Sequence, residues 1–207
     1  MTADIGDAQT DAWSHQGAVS QRGGSHFADL IEQVRRVQDA VVAASLPGDA
    51  TERVARHLAE IADILAVHEV GPLDAPAGAR LDLPGRGHPL LPPFVVERWT
   101  EREVRAHVTF SRYFLGGNGA ATGGAHAVLF NEILGRLSAS AGRPLSRTAY
   151  VHVNYRRVAP IGRRLTVEAK VERIEGRKRF VTGRLFDGPL VVADAEGLFV
   201  ELLPGQP

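Results

Sequence analysis

Cysteine is absent from the 207 residues, which excludes disulfides, cysteine-based zinc sites and a cysteine nucleophile. Net charge is absent as well, because 24 Lys and Arg residues balance 24 Asp and Glu residues. No strong overall field therefore favours nucleic acid or an acidic membrane as a partner. The sequence has no apolar run long enough to span a bilayer and no signal-peptide pattern at its N-terminus. We expect a soluble, cytoplasmic protein that binds neither nucleic acid nor membrane.

Several motifs that indicate a specific chemistry are also missing. The sequence contains no Gly-x-Ser-x-Gly nucleophile elbow, no phosphate-binding P-loop, no His-x-x-x-His metal pair and no dinucleotide-binding glycine fingerprint. Nothing in the pattern implies a metal, and we expect none. Function must therefore be sought in what the chain does contain.

The most informative stretch is residues 116–124, which contains five glycines and precedes an apolar run. The glycines predict a loop, and the run predicts a helix from about Ala125 to Ala141. Because the run is apolar on nearly every face, we expect the helix to be buried all round. The first N–H groups of a helix lack intrahelical acceptors and lie at the positive end of its dipole. Such a helix start can bind a carbonyl oxygen or a phosphate.

The first 93 residues divide into three regions. Residues 1–25 are small and polar and predict a flexible tail. Residues 26–68 predict a helical hairpin, with helices over about 27–44 and 51–67, because apolar residues recur at three- and four-residue spacing. The hairpin is too small for a core of its own, so we expect it to pack on the main domain or on a partner subunit. Residues 69–93, rich in proline and glycine, predict a connecting linker.

Residues 94–204 predict the main domain. Two strand-like runs precede the glycine loop, and four more, separated by short turns, follow the helix. Their approximate bounds are 94–99, 103–110, 148–158, 164–174, 179–186 and 190–202. The order predicts an α+β fold in which one antiparallel sheet wraps one long central helix.

Short sequence matches add to this order of elements. Thr122-Gly123-Gly124 opens the helix, and Phe-Asn-Glu-Ile-Leu-Gly follows at 130–135. Further matches lie at 148–162, 175–178 and 195–200. Over about residues 94–204 the sequence resembles hot-dog fold thioesterases of the phenylacetate-pathway (PaaI-like) type. The helical hairpin is similar to an extension seen in some members.

The resemblance implies a hot-dog fold and hydrolysis of an acyl-CoA thioester by a homodimer or a dimer of dimers. The active sites would lie between subunits, and no cofactor is implied beyond the coenzyme A moiety of the substrate. In this family a backbone N–H at the helix start polarises the thioester carbonyl. An acidic side chain farther along the helix of the other subunit acts as base or nucleophile. The usual motif is His-Gly-Gly, with Asp or Glu nine positions after the His.

This sequence departs from that motif at both ends. Thr122 stands at the His position and Asn131 at the carboxylate position, whereas Gly123 and Gly124 are retained. An amide cannot act as a general base at neutral pH, although it can orient a water molecule. The alternative function is therefore a non-catalytic hot-dog protein that binds an acyl thioester or pairs with an active homologue.

Four residues are the catalytic candidates. Gly123 and Gly124 offer the N–H groups of an oxyanion site, although such a glycine pair also permits close helix–sheet packing. Asn131 lies seven residues after Gly124, nearly on the same helix face, and either positions a ligand or satisfies a neighbouring backbone group. Glu132 is either a displaced base or a structural carboxylate that pairs with an arginine across the dimer.

Six residues are the candidates for substrate binding. Thr122 stands at the helix start, and His126, one turn into the helix, either replaces the missing His or is a half-buried structural histidine. Arginine and lysine side chains near two turns would form a basic rim for the phosphates of coenzyme A. These are Arg156, Arg157, Arg177 and Lys178.

Overall fold

The computed structural model describes residues 22–72, 74–144, 146–203 and 205, so most of the tail predicted over 1–25 lies outside the described residues. The helices of this part of the chain are α1 (Phe27–Ala43), α2 (Gly48–Ala66) and α3 (Gly123–Ser138). Its strands are β1 (Val95–Trp99), β2 (Glu103–Thr109), β3 (Ser146–Tyr155), β4 (Arg164–Glu175), β5 (Lys178–Asp187) and β6 (Leu190–Glu201). None of the described helices combines the length and hydropathy that a bilayer span requires.

The two predicted N-terminal helices are confirmed to within three residues at each end. A connection of four residues, 44–47, joins α1 to α2. Helix α1 buries Phe27 and Ile31, whereas no residue of α2 is buried. The hairpin therefore attaches to the rest of the chain through its first helix.

The segment 69–93 contains a single short 3₁₀ turn among its described residues, at Pro84–Gly87, and it packs closely against its surroundings. Gly85 adopts the left-handed conformation (φ 57°), and its N–H donates to the Phe94 carbonyl at 2.8 Å. A Cβ atom at this position would lie 2.8 Å from the Pro92 carbonyl oxygen, so only glycine fits. The Arg35 side chain of α1 donates to the Pro84 carbonyl at 2.8 Å. The segment thus binds α1 to the main domain.

The six strands form one antiparallel sheet in the order β1-β2-β4-β5-β6-β3. Two of the short turns predicted between the strands are confirmed as hairpin turns, because Gly176 and Gly188 have positive φ angles between the strands they join. Strands β1 and β3 are the two edges of this sheet. No described strand pairs with the outer edge of β3, which is ten residues long.

Helix α3 packs along the inner face of the sheet and contacts β2 through β6. Its buried side chains, including Leu129, Phe130 and Leu134, form the centre of the hydrophobic core. Gly183 of β5 makes room for this helix, because a Cβ atom there would lie 3.1 Å from the Phe130 ring. One sheet around one central helix is the hot-dog fold, so the predicted α+β architecture is confirmed.

The predicted helix bounds and burial need two corrections. Helix α3 starts at Gly123 and ends at Ser138, because Ala141 and Gly142 both have positive φ angles that cannot continue a helix. The expectation that α3 is buried all round is wrong for one side, where Gly124 and Asn131 are exposed. That side carries a glycine and an amide rather than large apolar side chains, so its exposure costs little hydrophobic free energy.

Candidate functional site

A cleft opens at the N-terminus of α3. It is lined by the glycine loop, the first turn of α3 and the segment that follows β3, namely Ala120, Ala121, Gly123, His126 and residues 155–159. Backbone hydrogen bonds fix its walls, since the Ala121 N–H donates to the Ala159 carbonyl and the Thr122 N–H donates to the Phe114 carbonyl, both at 2.8 Å. The loop is therefore held in place before any ligand binds.

The start of α3 presents donors without acceptors. Within the described residues, neither the Gly123 nor the Gly124 N–H forms a hydrogen bond. Thr122 precedes the helix in an extended conformation, and its exposed side chain makes no capping hydrogen bond. Two N–H groups and the positive end of the helix dipole are therefore available to an oxygen atom of a ligand.

Tyr155, which the sequence analysis did not select, forms the roof of the cleft. Its hydroxyl donates to the Gly123 carbonyl at 2.9 Å, and a Cβ atom on Gly123 would lie 3.0 Å from that hydroxyl oxygen. The side chain is 57% exposed although it is a large aromatic group. The only signal in the sequence is an aromatic residue at the end of β3, directly before two arginines.

His126 lies beneath this roof, 3% exposed, between the rings of Phe110 (5.2 Å) and Tyr155 (5.7 Å). Burial lowers the pKa of His126 below its ordinary value, so the imidazole is neutral near pH 7. Its Nδ1 lies 3.0 Å from the Thr122 carbonyl oxygen, so Nδ1 carries the proton and donates it. Nε2 is then the basic nitrogen.

Asn131 lies on the exposed side of α3, where its Oδ1 accepts a hydrogen bond from the Thr148 hydroxyl at 3.2 Å. Gly124 lies on the same side, as its seven-residue spacing predicts. Seven residues of helix nevertheless separate the two by roughly 10 Å. The Gly124 N–H and the Asn131 amide of one chain cannot both touch a single thioester group.

Glu132 forms a two-point ion pair with Arg86 of the 69–93 segment. Arg86 Nε lies 2.6 Å from Oε1, and Arg86 Nη2 donates to Oε2 at 3.0 Å. Both side chains are largely buried, and Arg86 Nη1 also donates to the Gly78 carbonyl. Arg136 lies one turn later on α3, and burial lowers its pKa to about 10. The positive charge of Arg86 lowers this pKa as well, whereas the negative charge of Glu132 raises it. The arginine partner thus belongs to the same chain, whereas the sequence analysis placed it across a dimer.

Replacing Glu132 with alanine should lower the free energy of unfolding by about 2–4 kcal/mol, because Arg86 and Arg136 would remain largely buried without their carboxylate. Arg53→Ala, which breaks the exposed Arg53–Asp49 pair, is the matched control and should change stability by less than about 1 kcal/mol. Denaturant unfolding of Glu132→Ala, Arg86→Ala and the double variant measures the coupling. If the losses in the free energy of unfolding of the two single variants simply added up in the double variant, the proposed coupling between Arg86 and Glu132 would be wrong.

The four basic candidates do not form one rim within a single chain. Arg157 lies beside the cleft, and so does Arg156, which pairs with Asp194 at 2.5 Å and thereby holds the pKa of that carboxyl below its usual range. Arg177 and Lys178 lie at the other end of the sheet, because Lys178 pairs with Val200 of β6, whereas Tyr155 pairs with Ala193. Seven residues of extended β6 separate these positions by roughly 23 Å.

Among the described residues, no three His, Asp or Glu side chains are grouped to hold a metal ion.

Comparisons with known proteins agree on one family. The sequence profile described as the thioesterase superfamily matches residues 118–193. A crystal structure of a thioesterase superfamily protein is 30% identical, with a TM-score of 0.73, and the match covers 86% of this chain and 96% of that chain. The acyl-coenzyme A thioesterase THEM4 of Bos taurus is 30% identical over 94 residues, which is 44% of this chain but only 38% of the bovine protein. A hypothetical thioesterase of Streptococcus pneumoniae shares the fold at 18% identity and a TM-score of 0.50, over 55% of this chain and 92% of that chain.

Proposed function

Because the chain belongs to the thioesterase superfamily, we propose that it hydrolyses the thioester bond of an acyl-CoA at a site formed between two copies of the chain. The observation that carries this proposal is a pair of N–H groups without acceptors among the described residues, one on Gly123, which lines the preformed cleft, and one on its exposed neighbour Gly124. A thioester carbonyl oxygen that accepts these hydrogen bonds becomes polarised towards attack.

Pairing of two copies along the free edge of β3 would complete the site. Helix α3 runs antiparallel to β3, since Gly123 contacts Tyr155 at one end and Asn131 contacts Thr148 at the other. Two β3 edges that pair antiparallel about a two-fold axis bring the opposite ends of the two strands together. The cleft of one copy then faces Asn131 of the second copy. The roughly 10 Å between Gly124 and Asn131 of one chain therefore does not separate the two groups that act on one thioester.

The chemistry follows from this arrangement. The Gly124 N–H, assisted by Gly123, binds the carbonyl oxygen, and the Asn131 amide of the second copy orients a water molecule towards the carbonyl carbon. The bond from the water oxygen to carbon forms, the carbon–sulfur bond breaks, and the proton from water ends on the sulfur of coenzyme A. Glu132 is not the base in this scheme, because Arg86 donates to its Oε2 and lies 2.6 Å from its Oε1 in a largely buried ion pair.

The same pairing would gather the basic residues that lie apart in one chain. The tip of the β4–β5 turn, with Arg177 and Lys178, lies near the start of β3, and Arg157 lies just beyond its end. Antiparallel pairing places the turn of one copy on the side where the cleft of the other opens. These side chains are proposed to bind the phosphates of coenzyme A.

The second candidate function is binding of an acyl-CoA without hydrolysis. It is favoured by the amide at position 131, where an ionised carboxylate would be needed for general base catalysis. In that case the cleft and the N–H pair would bind the thioester without cleaving it, and an active homologue paired with this chain would carry out the hydrolysis.

Release of free thiol from a panel of acyl-CoAs, measured together with the melting temperature, separates these functions. We expect hydrolysis of at least one acyl-CoA and a rise in melting temperature with a non-hydrolysable thioether analogue. Stabilisation without hydrolysis would support the binding function instead. If no acyl-CoA were hydrolysed and none raised the melting temperature, both functions would be wrong.

A further inference from the structure

The N-terminal hairpin carries an apolar surface that the rest of the chain does not cover. Between residues 30 and 70, twelve large aliphatic side chains are 38–79% exposed. They are Leu30, Val37, Val41, Val42, Leu46, Val54, Leu58, Ile61, Ile64, Leu65, Val67 and Val70. Monomeric proteins rarely expose large apolar areas without using them to bind something.

The two helices of the hairpin differ in how they are held. Helix α1 is fixed to the main domain by its buried Phe27 and Ile31 and by Asp39, whose carboxylate accepts from the Tyr113 N–H at 2.7 Å. Helix α2 has no buried residue, and its solvated polar side carries the exposed Arg53–Asp49 and His57–Glu60 pairs. Only the apolar side of α2 therefore lacks a partner that suits its chemistry.

We propose that the hairpin of a second copy of this chain covers this surface, so that two hairpins pack into a four-helix bundle. Twelve exposed aliphatic side chains per copy supply apolar area of the order that a stable interface, which buries roughly 800 Å² per partner, requires. A two-helix hairpin has no enclosed interior, whereas four helices bury their facing apolar stripes against one another.

The spacing on α2 favours a second copy over a different protein. Val54, Leu58, Ile61 and Leu65 follow a four–three–four spacing that is symmetric about residues 59 and 60. An antiparallel copy of α2 places Val54 against Leu65 and Leu58 against Ile61, which is the self-complementary contact that a two-fold axis requires. Ala55 and Ala62 flank this stripe and allow the helices to approach closely.

The N-terminal residues of the same chain are a poor alternative occupant. Residues 1–21 contain only four large apolar side chains, namely Met1, Ile5, Trp13 and Val19. These cannot cover twelve exposed aliphatic side chains that extend from residue 30 to residue 70. A second hairpin supplies an equal number of apolar groups at matching spacing.

Cross-linking tests the proposal directly, because the natural chain has no cysteine. With Ile61→Cys in the full chain, a short bis-maleimide should yield a covalent dimer as the main product on a denaturing gel. Arg56→Cys, on the polar side of α2, is the control and should remain monomeric. Absence of the Ile61→Cys dimer, or equal dimer from both variants, would overturn the proposal.

Sedimentation equilibrium provides a second readout that does not depend on cysteine chemistry. Leu58→Lys combined with Ile61→Lys should raise the dissociation constant of at least one association step by about tenfold or more, whereas Arg56→Glu should not. Unchanged association of the folded Lys variant would contradict the proposal. Neither result bears on thioester hydrolysis, since none of these residues lines the cleft.

Discussion

Replacing Gly124 with proline should lower kcat for acyl-CoA hydrolysis by about 10²–10³-fold, the usual effect of removing one oxyanion donor. Proline has no N–H, so the change removes the donor that we place on the thioester carbonyl. Proline is tolerated in the first turn of a helix, where the N–H has no intrahelical acceptor. A Cβ atom at this position would lie in open space, with no atom within 4 Å outside its chain neighbours and the helix backbone.

The control is Gly124→Ala, which keeps the N–H and adds only a methyl group in open space. It should lose at most a few-fold in kcat, and both variants should unfold at similar denaturant concentrations. A folded Gly124→Pro protein with the turnover of Gly124→Ala would show that this N–H does not act on the reacting group. Comparing kcat with KM is informative, because loss of a transition-state interaction lowers kcat more than it raises KM.

Replacing Asn131 with aspartate should raise kcat by about 10²-fold, at the lower end of what a positioned general base contributes. The aspartate has nearly the same shape as the amide and keeps an oxygen that can accept the Thr148 hydrogen bond. The new carboxylate can remove a proton from the water that Asn131 only orients. The increase should disappear as the pH falls and the carboxylate becomes protonated, because only the ionised form is a base.

Asn131→Leu is the control for shape, since it removes the polar group without adding a base. It should lower turnover, and an acyl-CoA panel across several pH values gives the comparison. An aspartate variant no faster than the natural protein at any pH would contradict the assignment of Asn131 to the reacting water. It would leave Gly124 untouched as an oxyanion donor, because the two residues belong to different copies in the proposed site.

The fold could be predicted because its signals are local. Gly176 and Gly188 indicate tight turns, alternating residues indicate strands, and the long apolar run after the glycine loop indicates a central helix. The cleft at the start of α3 follows from the same loop. These features depend on neighbouring residues in the sequence, so they can be found without knowing the tertiary structure.

The contacts that could not be predicted join residues far apart in the sequence. Arg86 and Glu132 are 46 residues apart, and Arg86 adopts a positive φ angle that its residue type does not indicate. The division of the basic candidates between opposite ends of the sheet depends on strand register, which the positions of arginines do not reveal. The role of Tyr155 could not be predicted, because it depends on the Gly123 carbonyl, 32 residues away.

The ion pair between Arg86 and Glu132 also decides where the chain can be shortened or recombined. A fragment starting at β1 would contain each of the six described strands and α3, yet it would leave the largely buried Glu132 without the guanidinium of Arg86. A unit that keeps this ion pair therefore begins upstream of the sheet, before Arg86. Chimeras between relatives should exchange the 69–93 segment and α3 together, because Arg86 lies in the first and Glu132 in the second.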